Sequence, residues 1–492
     1  MYKKETYEKQ ILLTAFTILL TACSLIQAAP SDDHLTKALT GMIDALNKDD
    51  VAKREAFLKK YYVNADSASA LERWQGHLVR YSEMLGNIKI RTIDLSDKAQ
   101  PRALIQTSSP RSMSEFENFF LNMDQNKPEK FFSMGLEPGL NPEITAIDRP
   151  LTNEEIRRFT KEYIQSLVDK DLFSGAVSLA KDGIPFYEDV YGKADLRWGV
   201  DNKLDTKFNL GSMNKMFTGV AICQLVEQGK LSFDDKINKY LDTLPNDELA
   251  NNITVHQLLT HTSGMVSYWE AMANMDWTAL RSVKDFADLN LNDKLSFEPG
   301  TEFQYSNSGP LYLGLIIEKI TGMDYHDYIR EHVSKPAGME NTDCYHVDAV
   351  IPNLAQGYAW DPETETHWAN IFQHSARGSA AGGGFSTVVD LQRFAKALYD
   401  GTLLSKEMLE TYTTGKIEMG PNDKYAYLIG DELWNGHRAV GHGGGAPGIN
   451  ADLKIFPDLG YTIAVMVNYD EAATAVSQFV TQLITHNREV PE

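Results

Sequence analysis

The sequence predicts an α+β fold: an antiparallel sheet with terminal helices and a helical lobe inserted between its strands, preceded by a small α+β domain. Three observations carry this. Gly175–Lys181 and Phe186–Gly192 alternate around Asp182-Gly183, a dipeptide that closes tight hairpins. Ile449–Phe456 and Tyr461–Val467 form a second strand pair around Pro457-Asp458-Leu459-Gly460. Between these pairs the apolar runs Met216–Gln228 and Leu311–Ile320 read as buried helices, and strands and helices do not alternate as a parallel sheet would require.

The elements follow in chain order. Lys3, Lys4 and Lys9 precede an apolar stretch, Ile11–Ala22, that is short for a bilayer span and fits a signal-peptide core over residues 1–22. Leu20-Thr21-Ala22-Cys23 resembles a bacterial lipobox, which predicts lipid attachment at Cys23 and a periplasmic or cell-envelope lipoprotein. The alternative is secretion with cleavage near Ala28 or Ala29. Residues 31–148 form the first domain. His34–Leu46, Val51–Tyr61 and Glu72–Leu85 carry helical periodicity, and Ile88–Leu95, Ala103–Thr107, Glu115–Leu121 and Lys130–Met134 read as short strands. Helices followed by a curved antiparallel sheet resemble the nuclear-transport-factor-2-like domains, and a non-catalytic spacer or substrate-presenting module is expected here. Pro138-Gly139-Leu140-Asn141-Pro142 and Pro150 have linker composition. The second domain, 150–490, opens with a capping box, Thr152 to Glu155, and a helix to about Leu167, and closes with a helix from Glu471 to Thr485.

Composition bounds the partners. With 43% hydrophobic residues the chain is globular, and a net charge of −21 with no extended basic segment excludes nucleic acid. The only membrane contact expected is the lipid at Cys23. Cys23, Cys223 and Cys344 make no disulfide framework, and Cys223 reads as a small core residue. His256 and His261 flank a leucine pair without further metal-ligand spacing, so neither a metal nor a cofactor is expected. His367, His374 and Arg377 read as surface-loop positions, with a place at the border of the cleft as the alternative, while Trp269, Trp277, Trp360 and Trp368 either line an apolar acyl pocket or pack in cores and loops.

Chemistry concentrates in three segments. Ser212-Met213-Asn214-Lys215 places a hydroxyl and an amine one helical turn apart at the start of a buried helix. A serine needs a proton acceptor to act as a nucleophile, and a lysine withdrawn from water near a helix N-terminus loses affinity for its proton. Tyr305-Ser306-Asn307 offers a phenol that relays protons and an amide that both donates and accepts. Gly441-His442-Gly443-Gly444-Gly445 precedes a strand, and its glycines let a substrate backbone approach.

These three segments, in this order, resemble the penicillin-recognising serine hydrolases: class C β-lactamases, D-alanyl-D-alanine carboxypeptidases, D-aminopeptidases and related esterases. Leu258-Leu259-Thr260-His261-Thr262-Ser263-Gly264-Met265 and Ala381-Gly382-Gly383-Gly384-Phe385-Ser386-Thr387 extend the likeness, which covers about residues 150–490. The resemblance implies a β-lactamase/transpeptidase-like fold and catalytic roles for Ser212, Lys215 and Tyr305. Ser212 carries the acyl group, and Lys215 takes its proton alone or with Tyr305. It further implies that Asn307, His442 and Gly444 bind substrate and that the backbone N–H groups of Ser212 and Gly445 form an oxyanion hole. His442 departs from the lysine of the β-lactamase pattern and is mostly neutral at pH 7, which weakens a carboxylate site. The expected activity is hydrolysis of a small peptide, amide or ester by an exported enzyme. The alternatives are a true class C-type β-lactamase and an envelope protein that binds without turnover.

Overall fold

The computed structural model describes residues 30–47, 50–241, 251–273 and 275–490, so the signal-peptide and Cys23 assignments lie outside the described residues. Two compact units emerge, one of residues up to 112 with 116–136, the other of residues 113–115 with 137 onward.

In the first unit three helices precede a sheet. α1 (Asp32–Asn47), α2 (Val51–Tyr61) and α3 (Ala68–Leu85) are followed by β1 (Lys89–Asp94), β2 (Arg102–Gln106), β3 (Phe116–Met123) and β4 (Phe131–Pro138), ordered β1-β2-β3-β4. Asp50 and Ser67 cap the second and third helices through Lys53 N and Ala70 N. Alternation in β2 and β3 buries Ala103, Ile105, Phe119 and Leu121 against Leu39, Leu58 and Leu78.

The second unit is built on an eight-stranded antiparallel sheet. Its strands are β5 (Gly175–Lys181), β6 (Ile184–Tyr191), β7 (Ile417–Gly420), β8 (Asp423–Tyr425), β9 (Gly430–Trp434), β10 (His437–Ala446), β11 (Ile449–Phe456) and β12 (Tyr461–Val467), in the order β7-β8-β9-β10-β11-β12-β5-β6. Period-two alternation splits its faces between two cores. Ala464 and Met466 of β12, with Ala451, Leu453 and Ile455 of β11, face the helical lobe. Ile463, Val465 and Val467 face the terminal helices α4 (Asn153–Asp169) and α8 (Ala472–Thr485). The capping box forms, Thr152 Oγ1 accepting from Glu155 N while the Glu155 carboxylate accepts from Thr152 N.

The segment with linker composition is packed instead. Leu140 and Ile144 are buried in the core beside the terminal helices, and Asn141 caps the short turn at Ile144 N. Two apolar anchors four residues apart outweigh the flanking prolines and glycine.

The lobe contains α5 (Asn214–Glu227) and α6 (Ser308–Thr321), which lie against one another, and α7 (Val388–Tyr399), which packs on β5 and β12. α5 is buried on nearly every side, as a helix apolar all round must be. No helix among the described residues is long and apolar enough to cross a membrane.

Candidate active site

The turn that leads into α5 is squeezed between two glycine segments. Gly211–Met213 forms a single 3-10 turn, fixed by Leu210 N donating to Gly384 O at 2.7 Å and Gly383 N donating to Gly211 O at 3.2 Å. On one side, a Cβ at Gly382 would lie 2.9 Å from Gly211 O. On the other, a Cβ at Gly444 in β10 would lie 1.9 Å from Leu210 O and 3.0 Å from Ser212 N. Only backbone without side chains fits these approaches. Gly445 N is on the same side, 2.8 Å from where a Cβ of Gly211 would stand. Asn214 locks the assembly, accepting from Gly384 N at 3.1 Å and donating to Ser379 O at 3.2 Å and to Cys344 Sγ at 3.1 Å.

One turn on, Lys215 is fully buried, and its Nζ donates to Asn307 Oδ1 at 2.6 Å and Ala381 O at 2.6 Å and lies 3.2 Å from Ser212 Oγ. No carboxylate among the described residues forms an ion pair with it. Burial without a counter-charge holds its pKa well below the usual lysine value. Tyr305 is 38% exposed, yet its hydroxyl is desolvated and pushed up to about 12, an effect that the nearby Ser212 side chain partly opposes. The Tyr305 ring centroid is 4.9 Å from Lys215 Nζ. Asn307 turns its Oδ1 to Lys215, and its Nδ2 has no hydrogen-bond partner among the described residues. Desolvation and the neighbouring Lys215 lower His442 to about 4, so its ring is neutral at physiological pH.

A pocket of about 100 Å³ opens beside Ser212. Tyr268, Trp269, Met272, Trp277, Phe286 and Ile449 supply its apolar walls, and no lysine, arginine, aspartate or glutamate is among the described residues lining it. Trp360 and His367, in contrast, meet edge to face in a separate hairpin that also carries Trp368.

The geometry thus gathers Ser212, Lys215, Tyr305, Asn307, Gly444 and Gly445 around one cleft, with His442 on the same strand. A family model described as Beta-lactamase matches residues 158–482. The chain belongs to this family. Among curated relatives, Penicillin-binding protein 4* of Bacillus subtilis is 31% identical over 332 residues, spanning 64% of this chain and 72% of that protein. Among solved structures, a penicillin binding protein from Bacillus halodurans superposes with a TM-score of 0.60 at 28% identity, covering 68% of this chain and 99% of that one. A D-stereospecific amidohydrolase from Streptomyces sp. gives 0.58 at 26% identity over the same shares. The protein is accordingly a serine hydrolase of the penicillin-recognising group with the antiparallel α+β fold of its relatives.

Within this β-lactamase-family site, four residues depart from the favoured sequence reading or escape it. His374 is not a simple surface residue: it lines the pocket, donates from Nε2 to Asn370 Oδ1 at 2.9 Å, and is lowered to about 4 by desolvation. Buried Asn370, which donates to Pro447 O at 2.7 Å, folds that loop inward. Arg377 likewise turns back to donate to Cys344 O at 2.9 Å. His261, to which the sequence reading gives no role beyond ruling out a metal, lies against Tyr305 with ring centroids 4.4 Å apart. Tyr425, which nothing in the motifs singles out, sits between His261 and His442.

Proposed function

We propose that this serine hydrolase is an exported enzyme that transfers an uncharged, apolar acyl group from a small peptide, amide or ester to Ser212 and then to water. The single observation that carries the reading is Lys215, an amine buried without a counter-charge 3.2 Å from the Ser212 hydroxyl. A neutral amine at that distance is a general base. The opposed shifts, Lys215 down and Tyr305 up, support a resting state in which the amine is free and the phenol keeps its proton, so Lys215 is the base.

Ser212 Oγ attacks the carbonyl as its proton passes to Lys215. Tyr305, whose hydroxyl is close enough to Ser212 to be influenced by it, hands a proton to the leaving amine or alkoxide and is reprotonated from Lys215. Water then repeats the sequence on the acyl-enzyme. Asn307 Nδ2 donates to the substrate's acyl-side carbonyl, and the backbone N–H groups of Ser212 and Gly445 stabilise the oxyanion, each worth about 3 kcal/mol. The pocket lining supports neutral substrates: it has no cation for a carboxylate and no anion for an amine. This favours an amidase- or esterase-type reaction over antibiotic turnover. The lipobox-like Leu20–Cys23 supports tethering at the cell envelope, checked by palmitate labelling that Cys23→Ser abolishes.

The test is intact-protein mass after mixing with a short-chain activated ester and, separately, with a penicillin. An ester-derived adduct absent from Ser212→Ala supports the mechanism. Ester turnover retained by Ser212→Ala overturns it, and rapid penicillin turnover by the wild type overturns the neutral-substrate reading.

A further inference from the structure

Beside Tyr305, five groups form one hydrogen-bonded chain. Ser306 N donates to His261 Nδ1 at 3.3 Å, so that nitrogen has no proton and His261 holds its hydrogen on Nε2. That Nε2–H lies 3.1 Å from the Tyr425 hydroxyl, which must accept it. The hydroxyl's own hydrogen is then free for His442 Nε2, also 3.1 Å away. With Nε2 accepting, His442 holds its proton on Nδ1 and donates it to Gly443 O. A peptide donor at one end and a peptide acceptor at the other leave a single self-consistent direction, with both rings uncharged.

The chain links the two sides of the cleft. Ser306 follows Tyr305 on the lobe side, and Gly443 precedes the Gly444-Gly445 pair on the sheet side. The backbone around it is strained in a way that fixes it. His261 has φ 57° and Leu428 has φ 61°, left-handed values uncommon for such residues. Gln304 N donates to His261 O, and Leu428 N donates to Leu259 O, each at 3.0 Å. The loop carrying Tyr305 and the strand end carrying Tyr425 are therefore both pinned to the Leu259–His261 segment.

We propose that His261, Tyr425 and His442 are a neutral positioning relay that keeps Tyr305 and the Gly443–Gly445 strand in register for acyl transfer, with His442 acting as a hydrogen-bond acceptor and not as a cation for the substrate. Desolvation, which lowers both imidazoles, acts in the same sense. The kinetic consequence rests on the acyl-enzyme reading; the tautomers do not.

The experiment is ¹⁵N NMR of the full chain labelled at its 12 histidines, with signals assigned through His261→Gln and His442→Gln. The wild type is expected to show His261 as the Nε2–H tautomer and His442 as the Nδ1–H tautomer. Tyr425→Phe, which removes only the central hydroxyl, is expected to release the His442 preference. It should also lower kcat on a p-nitrophenyl ester by about 10- to 100-fold while KM moves less than about twofold, as misplacement of a catalytic group does. An Nε2–H or doubly protonated His442 in the wild type at neutral pH overturns the proposal, as does a Tyr425→Phe enzyme that melts lower but keeps its kcat and tautomers. Because the wild-type spectrum needs neither a variant nor turnover, failure of the relay and failure of the hydrolase reading are told apart.

Discussion

Replacing Lys215 by methionine should separate what this residue does for chemistry from what it costs the fold. The folded protein holds the Lys215 amine well below its unfolded value of 10.5. Between the folded-state pKa and that value the unfolded chain binds a proton that the native state does not, so wild-type stability rises with pH. The slope is about 1.4 kcal/mol per pH unit, and it vanishes below the folded-state pKa. Lys215→Met lacks the titrating group; His261 and His442, which Lys215 lowers, are already held down by burial, so the remaining groups largely cancel between the two proteins over this range. The stability difference should therefore move toward the wild type from pH 7 to pH 9, by at most about 2.7 kcal/mol, the full amount being reached when the native amine is already neutral at pH 7. Loss of the donor to Asn307 Oδ1 and Ala381 O adds a cost of about 1–3 kcal/mol that does not vary with pH, so the slope is the diagnostic quantity. Urea denaturation followed by tryptophan emission reports it, since all tryptophans except Trp74 belong to the second unit. Acylation should fall by about 10²- to 10⁴-fold in the same variant. A difference that stays flat over this range would mean that Lys215 is charged in the native protein, and the general-base argument would fail with it.

Asn307→Asp places a carboxylate at the Lys215 amine, where Asn307 Oδ1 is now 2.6 Å away, and should re-protonate it. Burst kinetics at neutral pH should show acylation lowered by about 10²-fold or more with the fold intact, and an unchanged burst would count against a neutral amine. Gly444→Ala sets a Cβ against Leu210 O and should push β10 off the Ser212 turn, lowering kcat by about 10²- to 10³-fold, as loss of an oxyanion donor does, with little change in KM. Trp269→Ala removes part of the apolar wall and should raise KM for long-chain or aromatic esters by about tenfold while acetyl esters are spared, which a chain-length series of esters would check.

Legibility in the sequence followed local determinism. α2 runs over the range its periodicity predicts, and α4 starts at its capping box, because cap and apolar stripe coincide there. The hairpin of β11 and β12 is readable because β11 alternates apolar with polar residues and β12 is almost continuously apolar, with turn residues between them. β7, β8 and β9 escape notice: they are short, carry Glu418, Asp423, Lys424 and Glu432, and show no clean alternation that would separate them from loop. Tyr425 is hidden for that reason. His261 is hidden differently, because its meaning lies in contacts with Tyr305 and Tyr425, which are remote in the chain. The Ser212, Tyr305 and His442 segments stand out as chemistry, but the spacing of residues cannot say that both nitrogens of His442 are engaged within the protein.

The glycine clamp on the Ser212 turn has a consequence for how such an enzyme can change over time. Gly382 and Gly444 admit no side chain at all, so the reacting centre offers almost no sequence to vary. The substrate pocket is the reverse: large side chains such as Tyr268, Trp269, Trp277, Phe286, Gln373 and His374, on segments that do not carry the nucleophile, define its shape. Variation there can reshape what enters without disturbing the attack itself. A lineage built on this plan can therefore drift among acyl groups by trading bulky residues in two loops while its chemistry stays frozen in backbone.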